Sequence, residues 1–117
     1  MGGKQSCLPG LGNNICCPIV HFNSLLDAYV MLYTVWGNTT TAFITTSVDG
    51  IRWAPPEVLL GVASPRALAY PQVVGPANMT VVADSGTLVY AVAPPTGRYA
   101  RDLVTRSIKF SLCTCVI

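Results

Sequence analysis

Residues Thr40–Trp53, TTAFITTSVDGIRW, decide the fold class of this chain. Thr, Phe and Ile dominate the first eight positions, and such side chains suit a pleated, half-buried surface. Ser47-Val48-Asp49-Gly50 then sets turn formers in a row. An aspartate there can accept bonds from backbone amides two residues on, and a glycine takes a positive φ without steric cost. Ile51 and Trp53 return to apolar character. Strand, turn and aromatic in succession predict a hairpin with Asp49 and Gly50 at its tip and a largely buried Trp53 beyond it.

The same short words continue on both sides. Ala28 to Trp36 is a nearly continuous apolar run rich in aromatic and β-branched residues, as expected of a strand buried on both faces. Gly37-Asn38 breaks it, and Ala54-Pro55-Pro56 precedes another apolar word, Glu57 to Val62. Met79 to Ala83, Asp84-Ser85-Gly86 and Thr87 to Val92 predict a second strand, turn and strand. Period-2 alternation over Ser107 to Val116 predicts a terminal half-buried strand, expected to pair beside the Ile15 to Trp36 region. No segment carries a sustained helical stripe. The expectation is therefore an all-β domain over residues 28–117, preceded by an irregular arm over residues 1–27.

Composition narrows the function classes. A chain of 117 residues holds one core. Charged residues are 10% of it against roughly 25% in ordinary soluble domains, while 51% are apolar, so the outside has few charges to cover it. Self-association or a partner is expected. A net charge of +2 gives no field for nucleic acid. Arg98, Arg101, Arg106 and Lys109 surround Asp102 and suit a solvated strand edge, so nucleic-acid binding is not expected. The apolar stretch from Ile15 to Trp36 has the length to cross a bilayer, but Pro18 and Asp27 oppose a spanning helix.

Two imperfect repeats are visible. Phe43 and Tyr90 are 47 residues apart, as are Gly50 and Gly97, while Trp53 and Tyr99 are 46 apart. That period is in the range of propeller blades. Thr45 to Trp53 resembles the aspartate-box turn of sialidase-type β-propeller repeats, through Ser47, Asp49, Gly50 and Trp53. The motif is shortened by one residue between Asp49 and Gly50. In the second repeat, Pro94-Pro95-Thr96-Gly97-Arg98-Tyr99 lacks the Ser and Asp. The resemblance implies a structural turn and propeller-like antiparallel blades, about two of them. Since closed propellers use about 4–8 blades, three arrangements stay open: a fragment, a ring of several chains, or a small β-sandwich or barrel.

The resemblance also implies the function classes. A glycan-binding module would use Trp36, Trp53 and Tyr99 as stacking platforms with Arg98 beside them. Sialidase chemistry would need an arginine triad, a tyrosine nucleophile assisted by glutamate, and an aspartic acid. Glu57 is the one glutamate and no tyrosine stands at a motif spacing from it, so no catalytic set is expected. His21 is the one histidine and no nucleophile-elbow motif accompanies it, which excludes a serine-histidine-aspartate site. The leading expectation is a non-enzymatic binding or assembly module. The alternatives are an acylated membrane scaffold and a truncated glycoside hydrolase.

Gly2 followed by Ser6 fits a myristoylation pattern, and Cys7 could take a second acyl chain, which stable anchoring requires. That would place the chain at the cytoplasmic membrane face. The sequons at Asn38 and Asn78 would instead have meaning only outside the cell. Cys7, Cys16, Cys17, Cys113 and Cys115 lack zinc-ligand spacing, so neither metal nor cofactor is expected. They read as buried thiols, or, under oxidation, as a bridge joining the two ends of the chain.

Overall fold

The computed structural model describes residues 14–63, 66–76, 81–93 and 101–112. The protein is all-β. Among the described residues the strands are β1 Ile15–Asn23, β2 Ala28–Val35, β3 Thr39–Ser47, β4 Glu57–Ala63, β5 Ala67–Val74, β6 Val81–Val82, β7 Ser85–Ala93 and β8 Asp102–Lys109. They form a five-stranded sheet in the order β4-β3-β2-β1-β6 and a three-stranded sheet in the order β5-β7-β8.

The first four strands are an antiparallel meander, as consecutive strands joined by short turns usually are. Its β1–β2 turn is built by Asn23, whose Oδ1 accepts the Leu25 and Leu26 amides at 3.0 Å each. Its Nδ2 donates to the Ala83 carbonyl at 3.0 Å, and the Ser24 amide donates to the Val82 carbonyl at 2.8 Å. Two residues of parallel pairing, Phe22 with Val81 and Asn23 with Val82, complete this junction.

One core lies between the two sheets. Val30, Leu32 and Ala42 of the large sheet meet Leu68, Val73, Leu88 and Tyr90 of the small one, with Val82 at the seam. A second, smaller cluster lies on the opposite face of the large sheet, where Met31 and Tyr33 pack with Ile15, Val35, Phe43 and Trp53. Strand β2 is thus buried on both faces, in agreement with its uninterrupted apolar sequence.

Four expectations are corrected. The supposed irregular arm contains β1, which absorbs Pro18 in a register break between Cys16 and Ile19. β6 and β7 do not form a hairpin: Ser85 and Gly86 belong to β7, and β6 pairs with β1. Gly86 serves close packing, because a Cβ there would lie 2.9 Å from both a Val73 methyl and the Val74 carbonyl oxygen. The final strand starts earlier than its alternation suggested and ends at Lys109. Among the described residues it pairs with β7 and with neither β1 nor β2, since the small sheet takes it as an edge; residues 113–116 of the expected strand lie outside the described residues.

Candidate functional site

The loop from Val48 to Pro56 joins β3 to β4 and roofs the outer cluster. Ser47 and Asp49 hold its first half. The Asp49 carboxylate accepts the Ile51 and Arg52 amides at 2.8 Å each and the Ser47 hydroxyl at 3.0 Å, while the Gly50 amide donates to Ser47 Oγ at 2.9 Å. These bonds, those from the Arg52 and Ile51 amides foremost, hold the Asp49 carboxyl below its usual range. Gly50 takes φ 73°, and Tyr29 packs beside it. Two bonds hold the second half: Thr45 Oγ1 donates to the Ala54 carbonyl at 2.6 Å, and the Ala54 amide donates to the Thr46 carbonyl at 2.9 Å.

Asp49 and Gly50 therefore sit at the tip expected for them. The chain beyond them differs: it stays in irregular conformation from Ile51 to Pro56, and pairing resumes only at Glu57. Pro55 and Pro56 delay it, since neither can donate to a ladder. Trp53 is half-buried against the cluster of Met31 and Tyr33, on which Phe43 also packs. Tyr33 and Phe43 stack with centroids 5.5 Å apart. Trp53 Nε1 and Tyr33 Oη are buried without a hydrogen-bond partner among the described residues. Burial pushes the Tyr33 hydroxyl pKa up.

Trp36 and Trp53 do not share a cleft. The Trp36 indole donates to Thr34 Oγ1 at 3.3 Å, on the face of the sheet opposite to Trp53. Tyr99, Arg98, Gly2 and Cys7 lie outside the described residues. So do Cys113 and Cys115. Cys16 and Cys17 are bonded to each other, an arrangement that the expectation of buried thiols or an end-to-end bridge did not contain. No group of His, Cys, Asp and Glu suited to a metal exists among the described residues, and none of their helices is long and apolar enough to cross a membrane.

His21 lies on the inner face of β1, 8% exposed, with both ring nitrogens buried and without a hydrogen-bond partner among the described residues. Its ring meets Phe110 edge to face at 6.0 Å. Desolvation lowers its pKa, so the neutral imidazole is the form this site favours.

The sequence missed a surface. Beyond the roof, the outer face continues into Val20, Phe22, Tyr29 and Val81, which are 37–49% exposed. Phe22 is paired with both Tyr29 and Val81, and the Phe22 and Tyr29 rings meet edge to face at 5.5 Å. Ile51 at the loop tip adds a further exposed apolar side chain. From Ile15 to Val48 the only aspartate, glutamate, lysine or arginine is Asp27. The alternation of Val20 and Phe22 with His21 and Asn23 in β1 carries the signal, which the expectation of an irregular arm over residues 1–27 leaves out. A cleft of about 220 Å³ lined by Leu26, Ile44, Pro55, Glu57 and Phe110 falls below the roughly 300–1,000 Å³ of small-molecule sites. Neither a protein-family model, nor a curated protein, nor a solved structure matches the chain.

Proposed function

We propose that the chain is a non-enzymatic association module, whose working surface is the outer face of the five-stranded sheet. The row Val20, Phe22, Tyr29 and Val81 carries this reading, because a contiguous aromatic and aliphatic row without charges favours burial against protein. Glycan stacking has less support. Trp53 is taken up by the roof, and Trp36 is on the opposite face. Enzymatic turnover has less support still, since the Asp49 carboxyl is held down by turn amides, opposite to what a general acid requires.

Light scattering at tens of micromolar tests the reading. The wild-type chain is expected to exceed its monomer mass of 12.4 kDa, and the pair Phe22→Ser with Tyr29→Ser to lower the associated fraction. A wild-type monomer over this range would remove the proposal.

A further inference from the structure

Among the described residues the two sheets leave several strand edges open, and they are not alike. An open edge presents unpaired amides and carbonyls to other chains, so folded proteins usually block it. The edge of β1 carries Pro18, a positive φ at Cys17 and a register break. The edge of β5 carries Pro71, a positive φ at Tyr70 and a break between Ala69 and Gln72. The edge of β8 carries Asp102, Arg106 and Lys109. β4 reads EVLLGVA, with neither proline nor charge after Glu57. Its one irregularity is at Leu59, past which Leu60 to Ala63 run in unbroken register with β3.

We infer that the β4 edge is a docking site for a second copy of this chain, pairing β4 with β4 antiparallel about a two-fold axis at Gly61. Three observations support that occupant. Antiparallel strands keep paired residues on a common face. An axis at Gly61 sets Leu60 against Val62 twice, both on the side that packs toward the main core. Gly61 then pairs with its own copy and puts no side chain on the sheet face at the axis, as suits a close approach. The charges also match. Glu57 begins the strand, and exposed Arg66 follows its end, drawn back by the bond from its amide to the Ala63 carbonyl at 3.1 Å. Antiparallel pairing brings each Glu57 to the corner where the other copy carries Arg66, whereas parallel pairing would set the two Glu57 carboxylates side by side. The contact is self-complementary and closes on itself.

This inference rests on the association reading but uses a different surface, so the two are separable. Val58 is 65% exposed and Ala63 is exposed, so Val58→Lys with Ala63→Lys places charge on the edge without touching the core. The full chain with both changes is expected to lose the dimer in light scattering, with its strand signal in circular dichroism unchanged. Should that variant fail to fold, the charges decide. Glu57→Arg and Arg66→Glu should each weaken the dimer about tenfold, and the two together should restore it. A wild-type monomer would overturn both readings. An associating wild type whose mass the lysines leave unchanged, or single charge reversals without effect, would overturn the β4 edge alone.

Discussion

The two faces of the five-stranded sheet are closed in different ways. The inner face meets a second sheet, so Val30 and Leu32 are sealed by apolar side chains from Leu68, Val73 and Leu88. Among the described residues the outer face meets the loop from Val48 to Pro56, which covers Met31 and Tyr33 and leaves Phe22 and Tyr29 in view. Burial drives the first closure. In the second, hydrogen bonds at Ser47, Asp49, Thr45 and Ala54 set the position of Trp53. A strand read from its sequence as buried on both faces can thus have one face in a domain core and the other beneath a pinned cover.

The strongest challenge to this contrast is a pair of truncations. Leu32→Ala, at a site with no exposure, is expected to cost about 3–4 kcal/mol in denaturant unfolding. Trp53→Ala removes a larger side chain from a half-buried place, and should cost about 2 kcal/mol, under the ~3–5 kcal/mol of an enclosed aromatic. Equal losses would mean that the roof is as integral as the inner core.

Acidification probes the inner face through His21. The folded state lowers its pKa, so the unfolded chain binds the proton first as pH falls. Stability is therefore full above the ordinary value of 6.5 and declines below it until the folded pKa is reached, by at most about 1.4 kcal/mol per pH unit. Asp84, whose carbonyl accepts the Phe110 amide, and Lys109 flank the Phe110 segment packed on the ring, and among the described residues neither is hydrogen-bonded to the imidazole. His21→Phe should flatten the profile between pH 7 and 5. An unchanged slope in that variant would place the titrating group elsewhere.

The smallest effect belongs to the roof's pinning. Asp49→Ala should leave the thermal midpoint nearly in place while speeding hydrogen exchange at the Ile51 and Arg52 amides, which lose their acceptor. The lowered pKa implies that these bonds are intact above the usual 3.8 and fail as pH falls through the folded value. Unchanged exchange would show that the loop is held without the carboxylate.

How much was legible follows from how each residue uses its neighbours. β2 and β3 were readable because their side chains alone call for an extended, buried strand, and Asp49-Gly50 because its turn chemistry is local. β5 is not legible because Pro71 interrupts its apolar run, whereas a bulge with Tyr70 at φ 56° lets the proline sit fully buried in a strand. Gly86 looked like a turn for the same reason: its purpose, room for Val73 and Val74, lies in a strand distant in sequence. The outer apolar row needed the β1–β2 and β1–β6 registers before Phe22, Tyr29 and Val81 could be seen as neighbours.

Asn23, wholly buried at the end of β1, also governs alignment. Side chains alternate along a strand, so a slip of one residue against β2 would turn Phe22 toward the core and carry the Asn23 amide away from Leu25, Leu26 and Ala83. All three bonds would be lost together. β1 is otherwise nearly indifferent to such a slip, since Ile19, Val20 and Phe22 are apolar on both sides of the strand. One polar residue thus selects a single alignment from several that hydrophobicity alone would accept.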